Sequence, residues 1–196
     1  MKNILKNKKG FTLVELLAVI VILALIMSIA VVSMGGIMQS ARQSTFKDTA
    51  LSIISGVRQQ LTLAGEINAS YGSTGATYYF EKSILEKGGD KSPLGGDINY
   101  ITVSSNKAKL DSTATTEATL TKIGTMGVYK SATVTADTAC KDTSMSYVKV
   151  TYNTTTKVPT FSICLTAGAS NPYIFVTDAT EAKLQDTNDT SMLKGI

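Results

Sequence analysis

The chain is predicted to be α+β, with a long N-terminal helix whose C-terminal half packs on an antiparallel β-sheet. Three observations carry this. From Leu16 to Ala41 there are 26 residues without a charge, dense in Leu, Ile, Val and Ala. Next, Ala50, Ile53, Ile54, Val57, Leu61 and Ala64 recur at three- and four-residue spacing, the stripe of a helix facing a core. After Gly65 the composition turns to Thr, Ser, Gly and Asn, broken by short apolar runs of strand length.

The helix is expected from Phe11 to about Ala64. No proline interrupts it, and Gly65 is a natural stop. Arg42, Lys47, Asp48, Arg58 and Gln59 fill its other faces. Gly35-Gly36 weakens it, at ~1 kcal/mol per glycine relative to alanine. The pair reads as a close helix contact or as a hinge, and a melted segment would fall near Ser33–Gly36. Residues 66–97 read as a long connection with one short helix, Lys82 to Lys87, stopped by Gly88-Gly89. Strands are expected at Asn99–Ser104 and Ala108–Leu110 around a Ser105-Asn106 turn. Others are expected at Val128–Thr135 and Tyr147–Tyr152, then, after a turn at Asn153–Lys157, at Thr160–Leu165 and Tyr173–Thr177. The polar run from Asp111 to Thr119 reads as an exposed loop. Asp178 reads as an N-cap, with Glu181 as its reciprocal acid, opening a short terminal helix.

The 196 residues carry 19 basic and 15 acidic side chains, a formal charge of +4. Lys2, Lys6, Lys8 and Lys9 all precede the apolar stretch, and without them 15 basic residues face 15 acidic ones. The remainder is neutral, so no general pull toward nucleic acid is expected. The clustered lysines suit an end held in the cytoplasm. The apolar stretch exceeds the ~20 residues that cross a bilayer as a helix. The divisions are therefore a leader (1–10), a membrane-type helix half (11–38) and a globular part (39–196). The absence of His removes Ser-His-Asp and Cys-His catalysis and the commonest metal ligand. The two cysteines, Cys140 and Cys164, lie in the part placed outside, where a pair reads as a disulfide. Two buried thiols are the alternative.

The junction Lys8-Lys9-Gly10-Phe11-Thr12-Leu13-Val14-Glu15 carries the sharpest signal. A short basic leader ends in Gly-Phe, and Glu15 stands four residues past Phe11 in an otherwise apolar segment. This resembles the prepilin signature of type IV pilins and the related pseudopilins, over about residues 6–40. The resemblance implies that a membrane-embedded prepilin peptidase cuts between Gly10 and Phe11 and methylates the new amino terminus of Phe11. It also implies a fibre of this and other pilins, built by a membrane assembly platform with its ATPase. Before assembly the helix would rest in membrane lipid, and the fibre would serve adhesion, twitching motility or biofilm formation. Alternatives are a pseudopilin of a type II secretion or competence machine, and a membrane-anchored surface binding protein that never polymerises. The helix-breaking proline that many members carry near Val32 is absent.

Glu15 has two readings. A carboxylate inside a bundle of apolar helices needs a cation, and the only one at hand is the α-amine released on Phe11. In the family this acid is thought to meet the amine of a neighbouring subunit. The alternative is an acid favoured by its own helix N-terminus. Asp178, Glu181, Asp186 and Asp189 could supply oxygens to calcium, as related secretion pseudopilins do near their ends. A solvated tail with a helix cap is the alternative. Asn68, Asn153 and Asn188 match the glycosylation acceptor pattern, which a Thr-rich chain produces by chance. Tyr78-Tyr79-Phe80 reads as core or as an adhesive patch. No catalytic residue, cofactor or specific nucleic acid partner is expected.

Overall fold

The computed structural model describes residues 11–67, 75–85, 98–131, 140–141, 143–153, 155–166, 175–186 and 189. Helix α1 runs from Leu13 to Leu63. The chain divides into two compact units, Met1–Ala41 and Arg42–Ile196. In the first, the helix passes Gly35-Gly36 unbroken. In the second, α1 ends as its sequence prescribes. Gly65 adopts φ +66°, its N–H bonds the Thr62 carbonyl, and the Glu66 N–H bonds the Leu61 carbonyl. These two bonds form a Schellman cap, whose left-handed residue costs glycine nothing.

Seven strands form one sheet: β1 Ala76–Phe80, β2 Lys107–Ala108, β3 Ala118–Ile123, β4 Val128–Ser131, β5 Tyr147–Asn153, β6 Val158–Thr166 and β7 Phe175–Thr180. Their spatial order is β2-β3-β4-β1-β5-β6-β7, and every pairing is antiparallel. A short helix, α2, follows at Glu181–Gln185. The α+β architecture read from the sequence is thus the observed one.

Side chains of a strand alternate between faces, and both faces of this sheet are covered. Phe46, Ala50, Ile53, Ile54, Val57 and Leu61 of α1 share one core with Tyr78, Phe80, Val148, Val150, Phe161, Ile163 and Leu165. Each fully buried Ile, Val, Leu or Phe contributes roughly 1.5–3 kcal/mol relative to exposure. The opposite face holds a smaller core of Tyr79, Ile101, Ala108, Leu120, Tyr129, Cys140, Tyr147 and Cys164. Gln60, buried on α1, accepts hydrogen bonds from the Thr125 and Met126 N–H groups. It thereby secures the β3–β4 turn against the helix.

Several expectations are corrected. Residues 66–97 do not form only a connection, because β1 lies there and is central in the sheet. The Tyr78-Tyr79-Phe80 run is buried core. Asn99–Ser104 is not a strand. Its backbone is taken up irregularly: Asn99 N–H bonds the Thr166 carbonyl, and its own carbonyl accepts from Ser146. Ser105 and Asn106 do turn, at φ 50° and 61°, between paired Ser104 and Lys107. The strand expected at Ala108–Leu110 is the two-residue β2. The polar loop ends at Ala118, where β3 begins. At Lys82–Ile84 the helix is a single 3-10 turn; Gly88-Gly89 lies outside the described residues. The strand expected at Val128–Thr135 is observed to Ser131, and 132–139 lies outside the described residues. The last strand extends to Thr180. Thr180, not Asp178, caps α2, its hydroxyl accepting the Lys183 N–H. Lys47 is buried rather than solvated, and Ala64 is exposed.

Candidate functional site

The N-terminal segment is built from its own residues. Thr12 precedes the first helical residue and acts as N-cap. Glu15 Oε2 accepts from the Thr12 N–H at 2.8 Å and from Thr12 Oγ1 at 2.9 Å. The Glu15 N–H in turn donates to Thr12 Oγ1 at 3.3 Å. This reciprocal arrangement is a capping box. It explains why a carboxylate stands at this position in an apolar helix: it satisfies N–H groups that have no partner within the helix. Both contacts to Thr12 use Oε2, and among the described residues Oε1 has no partner. Thr12 belongs to the junction signature, but its capping role was not expected, although Thr-x-x-Glu before an apolar run is a recognisable signal.

Beyond the cap, no side chain from Phe11 to Ala30 is buried within the chain. Leu13 is 80% exposed, Ile20 55% and Ile29 71%. The window Leu13–Ala30 is long and apolar enough to cross a membrane by length and composition. Ser28 turns its hydroxyl back onto the Leu25 carbonyl at 2.8 Å, so its polar group is satisfied without a partner chain. Gly10 lies outside the described residues.

Cys140 and Cys164 stand with Cα atoms 5.6 Å apart and their sulfurs joined. The bridge lies in the smaller core, on the sheet face opposite α1. Of the four tail acids, Glu181 is ion-paired with Arg58. The guanidinium of Arg58 also stands 4.3 Å from the centre of the Phe161 ring. The main-chain oxygens of Asp186 and Asp189 accept from Lys47 Nζ. The Asp178 side chain lies outside the described residues, and the described residues contain no group of three or more potential metal-ligating acids, histidines or cysteines. Asn153 stands at the β5–β6 turn, its Oδ1 accepting from the N–H groups of Thr155 and Thr156. Asn68 and Asn188 lie outside the described residues.

A pocket of about 280 Å3 opens over the smaller core, with Tyr79, Asp111, Glu117, Lys141 and Tyr147 among its lining. Burial pushes the Tyr79 phenol up to about 12. The Thr113 hydroxyl and N–H lower the Asp111 carboxyl, helped by Thr143 and by the nearby charge of Lys141.

The chain thus joins a capped apolar helix, long enough to cross a membrane by length and composition, to a packed α+β unit. Residues 5–31 match the family model of the prokaryotic N-terminal methylation motif, and the chain carries the prepilin signature of type IV pilins and pseudopilins. No curated protein and no solved structure matches the chain.

Proposed function

We propose that this chain is the structural subunit of a type IV pilus, stored in the membrane and then assembled into a surface fibre. The observation that carries the reading is the segment from Phe11 to Ala30, helical from Leu13, unburied along its length and bearing a single carboxylate at its start. At ~25 cal/mol per Å2 its apolar surface must find lipid or other copies, and both the membrane and a helical fibre core supply that cover. Cleavage between Gly10 and Phe11, followed by methylation, leaves a Phe11 amine as the nearest cation to Glu15. With Oε2 engaged by Thr12, Oε1 remains for the amine of an incoming subunit. The prepilin signature also implies the peptidase and polymerisation with other pilins. The proposed surface roles are adhesion, twitching motility or biofilm formation.

A mature chain beginning at methylated Phe11, read by mass spectrometry, is the first expected result. Glu15→Gln then isolates the charge, because Gln at this helix position closes the same capping box. The variant is expected to be cut normally yet to assemble poorly, and to shorten fibres when expressed with unaltered chains. Normal fibres from Glu15→Gln would leave Glu15 as a helix cap alone. Assembled material still carrying Lys2 would defeat the whole reading.

A further inference from the structure

We infer that the ammonium of Lys47 is the cation on which the C-terminal segment closes, in the position a bound metal ion would otherwise fill. Lys47 is only 4% exposed. Its Nζ donates to the main-chain oxygens of Asp186 at 2.6 Å and Asp189 at 2.7 Å. An ammonium taken out of water needs acceptors for its three donors, and these converging carbonyls take two of them from about 140 positions along the chain. Carbonyl oxygens converging on one point are also the ligands a hard cation seeks. Here a protein nitrogen holds that point.

The second anchor follows the same logic. Arg58 lies eleven residues beyond Lys47, three turns of helix, so both cations project from one stripe of α1. Arg58 pairs with Glu181 at the start of α2, and Lys47 takes the carbonyls at and beyond its end. Asp186 itself closes α2, its N–H bonding the Ala182 carbonyl. The tail is therefore held as a strap, by the Glu181 carboxylate paired with Arg58 and by the uncharged main-chain oxygens of Asp186 and Asp189 on Lys47. The strap needs no metal, and this holds whichever fibre the chain builds.

The test uses the mature full-length chain in detergent, with hydrogen exchange followed by mass spectrometry. In the unaltered protein, protection of segment 181–189 is expected to be the same with EDTA or with millimolar calcium. Lys47→Met keeps the stem and removes the charge. It is expected to raise exchange in that segment tenfold or more while the β5–β6 ladder stays protected. Lys47→Ala is expected to behave likewise, with protection restored by ethylammonium and not by tetraethylammonium, which cannot donate a hydrogen bond. Loss of protection on adding EDTA to the unaltered chain would overturn the inference. So would an unchanged tail in Lys47→Met, failure of ethylammonium to restore it, or equal loss across the sheet in both variants.

Discussion

The Cys140–Cys164 bridge should contribute measurably to the stability of the unit Arg42–Ile196. The two positions are 24 apart in sequence, so the bridge closes a loop whose removal from the unfolded ensemble is worth about 3 kcal/mol. Cys164 pairs across the sheet with Tyr147, and Cys140 is itself buried in the smaller core. Replacing both with alanine removes the constraint without burying new polar atoms. For a unit of this size, ~3 kcal/mol corresponds to a fall in Tm of roughly 6–12 °C. That remains below a typical total stability of about 5–15 kcal/mol, so the variant should still fold. Circular dichroism melts of the mature chain, oxidised, reduced and doubly substituted, provide the assay. The reduced protein should match the Cys140→Ala/Cys164→Ala variant. Melting midpoints within 2 °C of one another, or two cysteines that react with maleimide in the native oxidised protein, would refute the reasoning.

Phe46→Ala opens a cavity in the larger core and should cost about 3–5 kcal/mol, read by urea unfolding, while cleavage at Gly10 proceeds normally. Gly75→Ala should be comparably damaging. Gly75 sits at φ +73°, and a Cβ there would lie 2.5 Å from the Val150 carbonyl oxygen of the neighbouring β5. Lowered yield and a lower Tm would show it. Tyr79 should titrate near pH 12, against an ordinary value of 10. The unfolded chain loses this proton first, so the contribution is intact below pH 10 and about 2–3 kcal/mol is lost as pH rises to 12. Tyrosinate absorbance of Tyr79→Phe against the unaltered protein isolates the group.

The parts that were legible in the sequence are those with one dominant periodicity. The α1 stripe has a single face to bury, Gly65 marks its stop by residue type, and in the β5–β6 hairpin Val148, Val150, Phe161, Ile163 and Leu165 recur at every second position toward the larger core. Strand β1 carried no such mark. Ala76 to Phe80 is buried at every residue, because the larger core takes one face and the smaller core the other, and period-two alternation disappears. Strand β3 failed for the opposite reason. Only Leu120 and Ile123 are buried in it, and it emerges from a run of Thr and Ala indistinguishable from loop. Asn99–Ser104 misled because Ile101 and Val103 alternate like a strand, yet they pack over the smaller core without joining a ladder. Lys47 looked like surface, since composition cannot reveal two carbonyls arriving from the far end of the chain. At the site itself, Gly10, Phe11 and Glu15 stood out by residue type and spacing. Thr12 also carried a legible mark, Thr-x-x-Glu before an apolar run, and its hydrogen bonds with Glu15 show the cap it makes.

The strand order has a consequence for a chain delivered from its N-terminus. β1 is made first but ends in the middle of the sheet, with β4 on one side and β5 on the other. Its second neighbour does not exist until about residue 147 has emerged. The helix that roofs the larger core waits longer still, for the last strand and α2. Contacts so distant in sequence close slowly. The helix face of Phe46, Ile53, Ile54, Val57 and Leu61 is therefore made first and covered last, as the strands of the larger core arrive one by one. The larger core is complete only once Ala179 of β7 and Leu184 of α2 have joined it, so a chain stalled before them leaves apolar surface of α1 uncovered.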